Sequence, residues 1–354
     1  MKNILITTGG TGGHVIPAQI IKDHLADEFE VFFSTDLRGL KYLSKKNNRI
    51  ILIDTPKFNV SFYLPFRIFK LIYLVFKSLV LLKKKKIKKI ISIGGYMSLP
   101  VIISGIILRL PIFLLEPNLV IGRVNKFFLK FAKKIFCYSN NLNNFPEKYL
   151  HKIKIIKPLV SKNFYELYKK NNINDKFCFL IFGGSQGAKI FDKIFVELIS
   201  KISKKFSIKV IQQTDKENIN NLKNFYNNCG VENMIFDFDQ NLANLIHTSD
   251  LCITRAGATS LAEISFLEKP FIAIPLPTSK DNHQMKNAEY YEERGCCWIL
   301  DQKKLNKEEL INFLMNLLEN KTELLNKKKN LEKINLMRSW KNTNQELKEI
   351  INEY

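Results

Sequence analysis

Short, almost entirely apolar runs alternate with longer amphipathic segments along the whole chain. The apolar runs predict buried strands, and the amphipathic segments between most of them predict helices. This alternation is typical of α/β proteins built on parallel sheets. The predicted strands are NILIT, VFFST, RIILID, KIISIG, PIFLLE and IFCYS in the first half, and KFCFLIFGG, SIKVIQQT, DLCITRAG and KPFIAIPL in the second.

Glycine-rich turns follow predicted strands in both halves, in TTGGTGGH, IGGYMS, IFGGSQGA and TRAGATS. Because open parallel sheets bind ligands at the carboxyl ends of their strands, two such sets predict two Rossmann-like domains facing one cleft. The length of 354 residues suits two domains of ordinary size. A proline interrupts the pattern at 155–160, which places the expected boundary there, between domains of 1–157 and 158–337. Segment 338–354 is predicted to be a helix that could belong to either domain.

Residues 58–89 depart from this rhythm. Segment 66–82 is nearly all apolar, but Arg67, Lys70 and Lys77 interrupt it at helical spacing. A helix that crosses a bilayer needs about 20 predominantly apolar residues with few charges, so a transmembrane span is not predicted. The segment is either a helix packed on the sheet with a solvated basic edge, or a surface that also enters anionic lipid headgroups.

The composition is strongly basic. Lysine and arginine number 55 against 33 acidic residues, a formal charge of +22. This balance favours an anionic partner such as nucleic acid, an acidic membrane face or a phosphorylated metabolite. The abundance of lysine, asparagine and isoleucine fits AT-rich codon usage equally well. The six cysteines show no CxxC or zinc-ligand spacing, and the chain starts without a signal peptide, so a reduced, cytoplasmic setting is expected.

The stretch TTGGTGGHVIPA, residues 7–18, lies between a predicted strand and a predicted helix. Glycines let the backbone approach a ligand, and the amides at the helix start favour negative charge, so the turn suits a phosphate. The same turn serves packing alone in many α/β domains. His14, inside the turn, is a candidate acid or base. The spacing differs from G-x-G-x-x-G, and the chain contains no P-loop motif.

Two further turns lie in the second half. In IFGGSQGAKI, Ser185 could donate to a phosphate oxygen or cap the next helix. In TRAGATSLAEI, a predicted helix start at 257–260 leaves space for a phosphate, and Arg255 adds positive charge near a pyrophosphate. Glu263 lies on the first turns of that helix. It either accepts hydrogen bonds from ribose hydroxyls or interacts favourably with the helix dipole.

Four other polar positions complete the candidates. Glu116 and Asn118 follow a strand in LLEPNLVIGRVNK, and Glu116 is a second candidate base. Tyr96 lies at another strand end. Gln284, in a polar segment that resembles an ordinary surface loop, could hydrogen-bond sugar hydroxyls.

Six motifs together resemble one family: GGTGGHVIPA, GGYMS, EPN, GGSQGA, TRAGATSLAE and DNHQMKNA, in this order over nearly the full chain. They resemble the MurG family of bacterial N-acetylglucosaminyltransferases, in glycosyltransferase family 28, which converts undecaprenyl-pyrophosphoryl-N-acetylmuramoyl-pentapeptide (lipid I) to lipid II in peptidoglycan synthesis. The resemblance implies a GT-B fold. Its first domain, 1–157, would face acceptor and membrane, the second, 158–337, would bind UDP-GlcNAc, and the helix 338–354 would pack back on the first.

The resemblance also implies roles for individual residues. Glu263 would bind the ribose, Gln284 the donor sugar, and Asn118 the sugar or acceptor. Further substrate contacts would come from three turns: Thr11, Gly12 and Gly13 would surround the sugar and the acceptor, and the diphosphate would be held by Ser185, Ala258, Thr259, Ser260, Leu261 and Ala262. The chain departs from the family pattern at four positions, namely Leu115, Pro117, Val160 and His283.

The implied reaction is an inverting transfer to the C4 hydroxyl of the muramoyl sugar, with no metal and no cofactor. His14 is preferred over Glu116 as base because its ordinary pKa is closer to neutrality. The expected partners are UDP-GlcNAc, lipid I and, through 58–89, the anionic cytoplasmic face of the bacterial inner membrane, to which the protein would bind peripherally.

Three other functions are considered. A lipid glycosyltransferase with a diacylglycerol acceptor would share the fold, and a basic nucleic-acid-binding protein would explain the charge. No nucleic acid is expected, because the chain contains no recognisable binding module. An NAD oxidoreductase is disfavoured, since neither G-x-G-x-x-G nor a suitably spaced acidic residue follows the first strand.

Overall fold

The computed structural model describes residues 2–43, 49–56, 64–168, 175–184, 189–239, 241–335 and 339–354. Within it the chain divides into two compact units. The first is Met1–Leu159 with Arg338–Tyr354, and the second is Val160–Met337.

The first unit is built on a parallel sheet of seven strands in the order β3-β2-β1-β4-β5-β6-β7. The strands are β1 (Lys2–Thr7), β2 (Phe29–Thr35), β3 (Ile50–Leu52), β4 (Ile87–Ser92), β5 (Ile112–Glu116), β6 (Lys134–Cys137) and β7 (Ile153–Ile155). The central strands are continuously apolar and buried because helices cover both faces of the sheet.

The helices of this unit are α1 (Gly12–Leu25), α2 (Leu64–Lys84), α3 (Leu99–Ile107), α4 (Arg123–Phe128) and the C-terminal α13 (Trp340–Asn352). Side chains of α1 and α13 share one hydrophobic cluster, while those of α2, α3 and α4 share another. On the α13 side, the His24 and Trp340 rings stack with centroids 3.7 Å apart. The buried Lys89 donates to the Ile351 carbonyl near the end of α13.

The second unit contains a parallel sheet of six strands in the order β10-β9-β8-β11-β12-β13. Its strands are β8 (Phe177–Phe182), β9 (Ile208–Gln213), β10 (Glu232–Phe236), β11 (Leu251–Thr254), β12 (Phe271–Ala273) and β13 (Cys297–Ile299). Its helices are α5 (Lys162–Leu167), α6 (Lys189–Ser203), α7 (Ile219–Asn228), α8 (Leu242–His247), α9 (Ala258–Phe266), α10 (His283–Glu292), α11 (Lys307–Glu319) and α12 (Thr322–Asn335).

Three strands, β7, β10 and β13, were not predicted from the sequence. All three lie at sheet edges, and none has the continuous burial of the central strands. Edge strands are often short, and the sequences of β7 and β10 lack the apolar run that marks a central strand. The sequence around β13 does contain such a run, at 296–300, which was not assigned to a strand.

Helix α2 covers most of the anomalous segment; 58–63 lie outside the described residues. Its buried residues are Leu74, Ser78 and Leu82, which face the sheet and α3. Its opposite side exposes large apolar side chains: Phe66, Ile68, Phe69, Ile72, Tyr73, Phe76 and Val80. A solvated basic edge alone therefore does not describe this helix. Among the described helices, none is both long and apolar enough to cross a membrane.

Candidate active site

The first sheet changes direction between β1 and β4. The chain continues from β1 to β2 on one side, and returns later to β4 on the other. Such a switch point leaves a crevice at the carboxyl ends of the strands, where α/β proteins bind ligands. The turn from β1 to α1 and the turn after β4 meet there. Both turns place glycines at positive φ, with 81° at Gly10, 87° at Gly94 and 78° at Gly95, a conformation that glycine adopts without steric cost.

His14 lies where the two turns meet. Its ring Nδ1 is 3.3 Å from the Gly9 carbonyl oxygen, and its Cε1 would be 3.7 Å from a Cβ atom placed on Gly95. The imidazole is half-buried in the first turn of α1. Beside it Thr11 is the N-cap of α1 without a side-chain cap bond, while Gly12 is buried and Gly13 exposed. Thr11 therefore does not cap α1 through its side chain.

Glu116, the last residue of β5, is a buried carboxylate at the next strand end. Its Oε1 accepts from the Asn118 amide at 3.3 Å and from Asn118 Nδ2 at 3.1 Å. Its Oε2 accepts from the Gly122 amide at 2.8 Å and from Asn125 Nδ2 at 3.0 Å. Burial raises the pKa of Glu116, and these donors act in the opposite direction. Both oxygens thus hold the loop that leads into α4.

Asn125 is a residue of this cluster that the sequence analysis missed. It is buried, and its Nδ2 also donates to the Leu115 carbonyl at 3.0 Å. The Asn125 amide group also packs closely against Gly94, where an added Cβ atom would lie only 3.1 Å from it. One feature of the sequence hinted at its role: Asn125 lies nine residues after Glu116, within the EPNLVIGRVNK stretch. At two positions where the chain departs from the family pattern, Leu115 and Pro117 are both buried.

Asp36 and Arg38, directly after β2, were also missed. Asp36 Oδ1 accepts from the amides of Gly10 at 2.8 Å and Gly39 at 2.9 Å. Arg38 pairs with the other oxygen and also contacts the Tyr96 hydroxyl. The sequence argument that no acidic residue is suitably placed was wrong, because Asp36 occupies the strand end where dinucleotide-binding folds carry one. Its carboxylate is nevertheless already bonded within the protein.

The second sheet has its own switch point between β8 and β11, with β9 on the far side of β8. The turn after β8 and the start of α9 come together there. A Cβ atom on Gly184 would lie 3.7 Å from Ser260 Oγ. Gly183 is fixed by its amide, which donates to Gln213 Oε1 at 3.0 Å. Ser185 lies outside the described residues.

Helix α9 begins at Ala258, with Gly257 as an N-cap that provides no side-chain bond. The first amides of a helix have no partner inside it, so those of Ala258, Thr259 and Ser260 are the donors at this end. The Leu261 amide already donates to the Gly257 carbonyl at 3.0 Å, and the side chains of Leu261 and Ala262 pack into the core. Leu261 is therefore not a free amide donor here.

Glu263 lies one turn further along α9 and is 7% exposed. Burial raises the pKa of its carboxyl to about 8. Within the part of the chain that the structure describes, its side chain makes no hydrogen bond or ion pair. A nearly buried carboxyl group without a partner is costly, and hydroxyl donors from a ligand would offset that cost.

Arg255 and Gln284 both hold segment 274–276. Arg255 is buried, and its Nη1 donates to the carbonyls of Ile274 at 3.0 Å and Pro275 at 3.4 Å. Gln284 Oε1 accepts from the Leu276 amide at 2.9 Å. Burial lowers the pKa of Arg255. Both side chains thus bond the backbone after β12, and their contact with a ligand stays a prediction.

The remaining family departures differ in setting. Val160 is fully buried in the core of the second unit, whereas Lys157 and Lys162 on either side are exposed. His283 begins α10 and is half-buried, and its Nδ1 lies 2.8 Å from the Lys280 carbonyl.

Two Rossmann-like units, each with glycine turns at the switch point of a parallel sheet, are the architecture of the GT-B fold. The crystal structure of Acinetobacter baumannii MurG matches with a TM-score of 0.78 at 22% identity, covering 100% of both chains. A UDP-glucosyltransferase from Polygonum tinctorium matches with a TM-score of 0.72 at 11% identity, covering 99% of this chain and 97% of that one. These likenesses confirm the predicted fold.

The sequence comparisons are more specific. The glycosyltransferase family 28 N-terminal domain matches residues 4–137, and its C-terminal domain matches 178–344. A protein of Pelagibacter ubique is 45% identical over 99% of both chains. One of Rickettsia bellii is 35% identical over 94% of this chain and 95% of its own. Both bear the name UDP-N-acetylglucosamine–N-acetylmuramyl-(pentapeptide) pyrophosphoryl-undecaprenol N-acetylglucosamine transferase. The chain belongs to glycosyltransferase family 28, as the motifs predicted.

Proposed function

We propose that this enzyme transfers N-acetylglucosamine from UDP-GlcNAc to the C4 hydroxyl of lipid I, which gives lipid II. The observation that carries the proposal is the 45% identity, over 99% of both chains, to a relative named for this transfer. The two glycine-lined switch points support it, because the reaction needs one place for a nucleotide diphosphate and another for an acceptor diphosphate.

The second unit is proposed to bind the donor. Glu263 would accept hydrogen bonds from the two ribose hydroxyls. Its raised pKa and its lack of a partner among the described residues support this assignment. The amides of Ala258, Thr259 and Ser260, with Ser185 from the neighbouring turn, would bind the diphosphate. Arg255 and Gln284 would act by fixing segment 274–276 beside the donor sugar. Helix-start amides stabilise the charge of departing UDP, so the transfer would need no metal.

His14 is proposed as the base. The C4 hydroxyl attacks the anomeric carbon from the face opposite UDP, its proton passes to the imidazole, and the bond to the UDP oxygen breaks with inversion. The half-buried ring at the meeting point of two glycine turns supports this role. Glu116 is a weaker candidate because four donors occupy its oxygens. We assign it to positioning Asn118 beside the acceptor, with Tyr96 and the Thr11–Gly13 turn.

Helix α2 is proposed to bind the anionic cytoplasmic face of the membrane, where the lipid-linked acceptor would lie. Phe66, Phe69 and Phe76 are each at least 66% exposed. Exposed lysines at 83–86 follow them at the end of the helix. Aromatic side chains enter the headgroup region, and nearby lysines add attraction to acidic lipids.

A transfer assay tests the proposal. Purified protein is incubated with labelled UDP-GlcNAc and a short-chain lipid I analogue in detergent containing EDTA. His14→Ala and Glu263→Ala should each lose most of the product, whereas the control His151→Ala, at an exposed position of the first unit, should not. Donor binding without product would contradict the proposed acceptor, and a diacylglycerol acceptor would be tested next. Neither binding nor product would contradict the donor as well.

A further inference from the structure

An ion pair beside the first glycine turn joins a buried acid to an exposed base. Arg38 donates to Asp36 Oδ2 from Nε at 3.0 Å and from Nη2 at 2.8 Å. The Asp36 side chain is 3% exposed, whereas that of Arg38 is 44% exposed. The carboxylate therefore fixes one edge of the guanidinium while much of the arginine stays in contact with solvent.

Asp36 is itself held by the backbone. Its Oδ1 accepts from the Gly10 and Gly39 amides, so the carboxylate links the glycine turn to the segment that carries Arg38. Burial opposes its ionisation, but the two amides and the guanidinium together hold the pKa of Asp36 below its usual value. The negative charge is thus permanent at neutral pH, and Arg38 keeps its position.

The guanidinium lies over the glycine turn. Its Cζ is 5.5 Å from the centroid of the Tyr96 ring, and Nη2 contacts the Tyr96 hydroxyl. The same nitrogen would be 3.6 Å from a Cβ atom placed on Gly10. A Cβ atom there would also lie 2.9 Å from Met97 Cε, so only glycine fits beside Met97 and the guanidinium, at the switch point that also holds His14.

We propose that Arg38 binds a phosphate group of the acceptor's diphosphate, and that Asp36 is the residue that positions it. This assignment rests on the proposed function, which supplies a lipid diphosphate as acceptor. A planar guanidinium with a fixed orientation suits phosphate oxygens better than a mobile lysine does. Its Nη1 makes no hydrogen bond to any residue in the described ranges, so this edge is available to an anion.

Steady-state kinetics in detergent, without anionic lipid, test the proposal. Arg38→Ala should raise the KM for the lipid I analogue at least tenfold, while the KM for UDP-GlcNAc and the kcat stay within twofold. Arg38→Lys should restore part of the acceptor affinity lost in Arg38→Ala, because lysine keeps the positive charge but lacks the planar guanidinium with its paired donors. Asp36→Asn should raise the acceptor KM too, since it releases the guanidinium.

Arg49→Ala is the matched control. Arg49 belongs to the same unit, its side chain is 53% exposed, and it pairs with Glu30 at 3.2 Å. It directly precedes β3 and so lies at the amino ends of the parallel strands, whereas the switch point lies at their carboxyl ends. The control should leave both KM values unchanged. An equal effect of the two arginine variants, or a parallel rise in donor and acceptor KM for Arg38→Ala, would mean a general loss of fold and overturn the proposal.

Inorganic pyrophosphate provides a second readout. Inhibition competitive with the acceptor should weaken in Arg38→Ala, while inhibition competitive with UDP-GlcNAc should not. Headgroup phosphates are the other source of the same chemistry. If Arg38→Ala loses binding to phosphatidylglycerol vesicles but keeps its acceptor KM in detergent, the site binds lipid headgroups and the assignment fails. A wild-type enzyme that transfers no sugar would instead refute the proposed function, which separates the two failures.

Discussion

Two carboxylates marked by the sequence lie in opposite environments. Glu116 accepts four hydrogen bonds from neighbouring amides and asparagine side chains. Glu263 is similarly buried but accepts none within the described residues, and the pKa of its carboxyl rises to about 8. The first is therefore suited to holding a loop, and the second to receiving a ligand.

Glu116→Gln should distinguish a structural role of Glu116, in holding its loop, from a role as the catalytic base. The amide keeps the shape of the side chain but turns one acceptor into a donor, which would face the Gly122 amide or Asn125 Nδ2. We expect a loss of about 1–3 kcal/mol in the free energy of unfolding, with a lower kcat. The acidic limb of the kcat–pH profile should persist, because the proposed base His14 is unchanged in this variant. Disappearance of that limb would identify Glu116 as the base.

Glu263 should make donor binding dependent on pH. Ribose hydroxyls donate to the ionised carboxylate, so binding should release a proton from a group whose pKa is about 8 when the site is empty. The affinity for UDP-GlcNAc should then fall as the pH is lowered below 8, by up to about tenfold per unit. Calorimetry in buffers of different ionisation enthalpy measures the released proton. Glu263→Gln should release no proton. If the wild-type affinity for UDP-GlcNAc did not change between pH 6 and pH 9, the assignment would be contradicted.

Among the secondary-structure elements, α13 is held on the first unit by contacts that are sensitive to acid, including the ion pair between Lys348 and Asp27 and the packing of His24. His24 is fully buried, stacks on Trp340 and contacts the Asn344 side-chain oxygen. Burial lowers the pKa of His24 to about 4, so the folded state favours the neutral ring. Its contribution to stability is complete above the unfolded pKa of about 6.5 and is lost as the pH falls toward 4.

Acidification should therefore weaken the docking of α13 by up to about 3 kcal/mol. Hydrogen exchange of 340–352 at pH 5 and pH 7.5 measures this change. His24→Phe should keep the stack on Trp340 and reduce the acid dependence, whereas the exposed His151→Ala should retain it. Equal acid sensitivity in His24→Phe and wild type would contradict this explanation.

Helix α2 should bind lipid through its exposed apolar face. Phe66→Ser, Phe69→Ser and Phe76→Ser combined should reduce binding to phosphatidylglycerol vesicles at least tenfold. Their exposure means that the fold should keep its stability. Leu325→Ser, at a site 57% exposed on α12, is the matched control. Transfer to a short-chain acceptor in detergent should change little. Unchanged vesicle binding in the triple variant would place the lipid contact elsewhere.

At the scale of the whole molecule, one plan occurs twice. Each unit places its first strand in the middle of a parallel sheet, and each carries glycine turns where the strand order reverses. The alternation of apolar runs was enough to predict the central strands, because strands covered on both faces must be apolar throughout. The edge strands β7 and β10 were not predicted because strands at the edge of a sheet are less buried and need fewer apolar residues.

The residues of the candidate site were also predicted only in part. His14, Glu116 and Glu263 lie within motifs, so local sequence marked them. Asp36 and Arg38 lie in no motif, and they matter only because β2 and β4 flank β1 and bring them to Gly10 and Tyr96.

The sequence by itself determined the fold class, the family and the positions of the glycine turns, since these follow from periodicity and from short motifs. Tertiary structure decided which polar groups are already bonded. It bonded Arg255 and Gln284 to segment 274–276 and Glu116 to its loop, and it left Glu263 without a partner among the described residues. The physical reason is that hydrogen bonding and burial depend on neighbours in space, which residue spacing along the chain does not specify.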